Sequence, residues 1–180
     1  MLEATDIFAG ANLPIELGAA RLEVVDLPPV TLVAPFKGQA MAVADALQSE
    51  LGMILPPAGQ CRVSERANAY WRGPSQWLVF GDLALARLLE GMALVVDMSD
   101  ALGKLKISGG VQPVLSRLVE VDLERMLPGQ VAHTSMAGIP LTLIAQDGAF
   151  EVMMPRSMAA SAVSRLEGAM RSQAARALLA

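Results

Sequence analysis

The sequence predicts an α+β fold: two packed α+β halves with antiparallel or mixed sheets and about four helices. Three observations carry this. Short apolar runs of strand type follow one another through tight turns instead of alternating strictly with helices, which disfavours a doubly wound parallel sheet. At 180 residues the chain is long enough to bury a core. Residues 76–93 (QWLVFGDLALARLLEGMA) are echoed by residues 149–170 (AFEVMMPRSMAASAVSRLEGAM), each reading as strand, turn and helix. The echo fits two related halves splitting near residue 93, and it equally fits a chance likeness of two amphipathic helices. The expected organisation is a lead-in arm over 1–29, a first half over 30–92 and a second over 93–180.

The arm is expected to be irregular because Gly10, Pro14 and Gly18 interrupt any period. Thr31–Ala34 reads as a short strand between prolines, and residues 38–51 as a helix with Ala40, Ala44, Leu47 and Leu51 in one stripe, stopped by Gly52. Residues 61–71 and 76–80 form a hairpin around Gly-Pro-Ser-Gln. Asp82 is placed to cap a helix with Leu85, Leu88, Leu89 and Met92 on its face. Leu94–Met98 is an apolar run of central-strand type, while Lys104–Ser108 alternates, with Leu105 and Ile107 inward and Lys104 and Lys106 on a solvent-facing edge. Gly109-Gly110 opens a helix that tolerates Pro113 in its first turn and carries Val111, Val114, Leu115 and Leu118 inward. Strands are expected near 131–136, 139–145 and 149–154, then a helix over 158–177 with Met158, Ala162, Val163, Leu166 and Met170 on one side.

Composition narrows the partners. Apolar residues make up 53% of the chain and charged ones 18%, below the quarter usual for soluble proteins. Some apolar surface is therefore expected to meet another protein. No run approaches the ~20 apolar residues that span a bilayer, so no membrane partner is expected. A net charge of −4 without a basic stripe argues against nucleic acid. An acidic N-terminus in place of a signal peptide, and one cysteine, point to a cytoplasmic home.

Few residues suggest chemistry. His133 is the sole histidine and Cys61 the sole cysteine, so a multi-histidine metal site is excluded; a nucleophilic pair would need the two to meet in space. No phosphate-binding or dinucleotide-binding glycine motif occurs. Asp97, set in an apolar strand and followed by Ser99, acts as a general base, grips a polar ligand or caps the turn 99–103 through local hydrogen bonds. Arg156 projects from a strand–helix junction where it can clamp a carboxylate, with Ser157 as the natural cap of the helix. Both tryptophans lie in Trp71-Arg-Gly-Pro-Ser-Gln-Trp77. A turn centred on Pro74–Ser75 pairs Arg72 with Trp77, which sends Trp71 and Trp77 to opposite faces unless a bulge at Ser75 shifts the register by one. On that pairing Arg72 lies near Trp77 for a cation–π contact, and Trp71, Arg72, Trp77 and Arg156 are the candidate partner contacts.

Several motifs occur in one order: Trp71-Arg-Gly-Pro-Ser-Gln-Trp-Leu78, Val96-Asp-Met-Ser99, Leu105-Lys-Ile-Ser-Gly109, Val121-Asp-Leu123, Pro128-Gly-Gln-Val-Ala-His-Thr134 and Phe150-Glu-Val-Met-Met-Pro-Arg-Ser157. Together, over about residues 60–170, they resemble the gamma subunit of heterotetrameric sarcosine oxidase, a family similar in fold to part of the folate-binding aminomethyltransferase of the glycine cleavage system. The resemblance implies a subunit that supplies structure and contacts to alpha, beta and delta partners rather than catalytic residues. It implies a complex that uses FAD, FMN, NAD and tetrahydrofolate, none of them held by this chain. The sequence departs from the family at Asp100, where a glycine- or histidine-rich turn is expected.

Overall fold

The computed structural model describes residues 7, 8 and 10–179. In chain order the strands are β1 (Ile15–Leu17), β2 (Ala20–Val24), β3 (Val30–Pro35), β4 (Cys61–Val63), β5 (Asn68–Gly73), β6 (Gln76–Phe80), β7 (Ala93–Asp97), β8 (Leu102–Ser108), β9 (Val131–Met136), β10 (Ile139–Gln146) and β11 (Ala149–Pro155). The helices are α1 (Ala40–Leu51), α2 (Leu85–Leu88), α3 (Val111–Leu115) and α4 (Ala159–Ala177). The fold is α+β with two antiparallel sheets, as the pattern of short strands predicts. The chain divides into one unit of Met1–Asp26, Ala101–Pro128 and Ala132–Ala180, and another of Leu27–Asp100 and Gly129–Val131.

The first unit is a six-stranded sheet in the order β1-β2-β8-β11-β10-β9. Alternation along β8 turns Leu105 and Ile107 to one face, where they are fully buried with Leu22, Leu143 and Val152 under Val163, Leu166 and Met170 of α4. Burying one such leucine contributes about 1.5–3 kcal/mol, so this face accounts for much of the unit's stability. Gly109 turns the chain from β8 into α3 at φ +63°, and a Cβ there would stand 2.0 Å from the Ala19 carbonyl oxygen. Only glycine meets both conditions.

Three expectations are corrected here. The arm over 1–29 contains β1 and β2, which extend the sheet beside β8. They escape pattern reading because they are three and five residues long. Lys104 is also not on a solvent-facing edge: β8 lies inside the sheet, and Lys104 is only 6% exposed. Its ammonium is 3.0 Å from the Glu151 carboxylate. Lys106 meets Glu23 at 3.7 Å and Arg21 bonds Glu23 and Glu16, so alternating charge runs across β1, β2, β8 and β11 on the face opposite the core. The start of α4 differs too: Arg156–Met158 form a 3-10 turn and Met158 holds the cap position, so Ser157 is not the cap.

The second unit is a five-stranded sheet in the order β4-β5-β6-β3-β7. Val43, Leu47 and Leu51 of α1 cover one face together with Leu85 and Leu89, against Val33, Ala69, Val79 and Ala93. Gly52 closes α1 in a left-handed conformation at φ 63°, the usual glycine stop. The buried stripe runs through Val43 rather than Ala40, which is exposed. α2 is one turn long, and Asp82 makes no cap to it, since the cap position falls on Ala84. β7 belongs to this sheet, so the units part after Asp100 and not near residue 93. β7 is also an edge strand; a run apolar on both faces does not distinguish edge from centre.

Candidate functional site

Asp97 ends β7 where its ladder with β3 closes, at the pair Thr31–Asp97. Beyond it the chain must turn, and Ser99 supplies the means. Its backbone N–H and its hydroxyl donate to Asp97 Oδ1 at 2.9 and 2.6 Å, and its Oγ accepts the Val30 N–H at 3.0 Å. The Ser99 hydroxyl bond is the main influence holding the exposed Asp97 carboxyl below its ordinary value of 3.8, with the Ser99 backbone bond second. Of the readings of Asp97, the turn is what its hydrogen bonds make. A carboxylate so stabilised is a weak base and a good acceptor toward donors or cations. It borders a cleft of about 570 Å³ whose polar groups come from Thr31, Asp82, Arg87, Asp97 and Ser99, with Val95 on its wall.

The hairpin corrects the expected register. Trp71 pairs with Trp77, Tyr70 with Leu78 and Gly73 with Gln76, with a bulge at Arg72. Trp71 and Trp77 therefore share one face, that of Ala69 and Val79, which the helices cover. The cause lies in the turn. Pro74 has its ring-fixed φ and Ser75 takes φ +53°, the type II arrangement, which splays a two-residue hairpin unless something absorbs the misfit. The extra residue Arg72 absorbs it and shifts the pairing by one. Trp77 donates its indole N–H to the Pro56 carbonyl at 2.9 Å, anchoring the hairpin to the loop after α1. Both indoles are half-buried and Arg72 is exposed. On the opposite face Tyr70 and Phe80 are buried with ring centroids 4.6 Å apart.

The remaining candidates lie on other elements. Arg156 is half-buried, and its backbone N–H bonds the Ala101 carbonyl at 2.9 Å. Cys61 lies on β4, and the Nδ1 of His133 on β9 is 3.0 Å from the Thr142 hydroxyl. Among the described residues no three of His, Cys, Asp and Glu gather as metal ligands, and no helix is long and apolar enough to cross a membrane. Sequence reading missed the cleft's Thr31, Asp82 and Arg87, and the buried Lys104–Glu151 pair. A charged residue at the centre of an alternating strand was the available signal for the pair.

No family model and no curated protein matches the chain. Solved structures do. A heterotetrameric sarcosine oxidase from Corynebacterium sp. U-96, in complex with pyrrole 2-carboxylate, contains a similar chain with a TM-score of 0.72 and 21% identity. The match covers 88% of this chain and 87% of that one. The aminomethyltransferase T of the glycine cleavage system from Bartonella henselae is similar with a TM-score of 0.59 and 17% identity, over 86% of this chain and 47% of its own length. The fold is thus one that both of these structures contain, and this chain spans about half of that aminomethyltransferase.

Proposed function

We propose that the chain is the gamma subunit of a heterotetrameric sarcosine oxidase. In this reading the complex is cytoplasmic, demethylates sarcosine to glycine, passes electrons through flavins to oxygen to form hydrogen peroxide, and delivers the one-carbon unit to tetrahydrofolate. Its FAD, FMN, NAD and tetrahydrofolate are held by the other subunits, alpha, beta and delta, and this chain contributes structure and contacts. One observation carries the proposal: the likeness to a chain of the Corynebacterium oxidase is nearly complete in both directions, 88% and 87%. The aminomethyltransferase accounts for the fold but leaves half of its own length unmatched. The ordered motifs from Trp71 to Ser157 support the same reading.

A second reading has the chain hold a folate-like molecule itself. Asp97 on its cleft is the observation in its favour, since an anionic carboxylate can accept hydrogen bonds from a pterin ring. Co-expression with the alpha, beta and delta subunits and affinity purification on a tag carried by this chain separates the two. Recovery of all four chains with oxidase activity supports the first, and recovery of the tagged chain alone refutes it. Calorimetric titration of the chain with tetrahydrofolate decides the second, which a flat titration ends.

A further inference from the structure

We infer that the free edge of β7 is a docking strand, completed in the assembly by an extended, aliphatic, base-flanked segment of a partner subunit. The inference rests on the subunit reading and adds to it the place and manner of contact. Among the described residues β7 has one strand neighbour, β3. The bonds from Phe36 N–H to Met92 O and from Met98 N–H to Val30 O bracket that ladder. Antiparallel bonding alternates, so the even-numbered residues of β7 face β3, and the N–H and C=O groups of Val95 and Asp97 point outward.

Natural sheets guard such edges with lysine, proline or a bulge. β7 opens with Ala93-Leu-Val-Val96 and has none of these. Beside the open edge lies an apolar strip: Leu94 is 51% exposed and Phe36 48%, and Leu32, Ala34 and Val96 are half-buried. Outward backbone groups next to aliphatic side chains are what an added strand satisfies and a rounded apolar surface does not.

Charge selects the occupant. Exposed Glu90 precedes β7, and exposed Asp97 and Asp100 follow. A second copy paired antiparallel about Val95 would bring Asp97 and Asp100 of each chain toward the Glu90 of its mate at both ends, three acids against one Lys37 beyond β3 and one Arg87 on the cleft beside Asp97. A partner strand with lysine or arginine at its ends meets both flanks favourably.

The test is amide hydrogen exchange on the chain alone and in the purified four-subunit complex. Val95 and Asp97 should exchange at least ten-fold more slowly in the complex. Leu94→Lys, at an exposed side chain, should reduce co-purification at least ten-fold without changing the circular dichroism of the isolated chain. Val95→Pro, which removes one outward N–H, should do the same; if it fails to fold, Leu94→Lys and the exchange rates decide. A complex whose β7 amides exchange as fast as in the free chain overturns the inference and leaves the subunit reading standing. Failure to form any complex overturns both. Self-association of the isolated chain with protection of β7 would make a second copy the occupant and overturn the inference as well.

Discussion

Replacing Glu151 by Gln leaves the Lys104 ammonium inside the sheet without the carboxylate 3.0 Å away. Their side chains are 7% and 14% exposed, so solvent screening is slight, and breaking such a pair from one side costs about 3 kcal/mol, the lower end for buried pairs. The converse variant, Lys104→Met, should cost less, about 1–2 kcal/mol, because Glu151 sits directly opposite Lys106 in the β8–β11 register and keeps a cation nearby. The double variant Lys104→Met with Glu151→Leu removes both charges and should lie within about 1 kcal/mol of the parent. Urea unfolding of the four proteins measures each cost and the coupling between the sites. At about 2–4 °C per kcal/mol for a chain of this size, Glu151→Gln should also melt ~6–12 °C lower. Single variants costing under about 0.5 kcal/mol, as exposed pairs do, would refute the claim that the pair is desolvated. Equal costs for the two single variants would refute the part assigned to Lys106.

Three further outcomes are expected. Leu166→Ala, at a fully buried site under α4, should lower unfolding free energy by about 2–5 kcal/mol in the same urea assay. Gly109→Ala should cost more than about 2 kcal/mol, since it combines φ +63° with a Cβ only 2.0 Å from the Ala19 oxygen. The Asp97 carboxyl, followed by NMR, should titrate below 3.8, and Ser99→Ala should move it upward. Because its folded pKa is depressed, Asp97 stabilises the turn above about pH 3.8, and that contribution disappears as pH falls through the lower, folded value.

The elements legible in the sequence are those whose pattern runs long enough to repeat. α4 shows its stripe over nineteen residues, and β8, β10 and β11 show theirs against short glycine turns. β1 and β2 are invisible for the opposite reason, although the alternation Ala-Arg-Leu-Glu-Val in β2 is plain once it stands beside β8. The hairpin register failed on one torsion angle: nothing in Gly-Pro-Ser-Gln announces that Ser75 goes left-handed, and that choice moves Trp71 onto the face of Trp77. Lys104 was misread because an alternating polar residue is solvent-facing by default; only the sheet order reveals a strand flanked on both sides. At the candidate site, Asp97 and Ser99 were legible as a turn because their bond is local. Thr31, Asp82 and Arg87 were not, since strand pairing and the β6–α2 connection bring them to the cleft from elsewhere in the chain.

Native mass spectrometry of the complex purified through this chain tests the account most directly. The subunit reading predicts a single species whose mass is the sum of one alpha, one beta, one delta and this 18.9 kDa chain, and whose collisional dissociation releases this chain. A preparation holding only this chain, or an active oxidase of alpha, beta and delta that forms without it, would contradict the account.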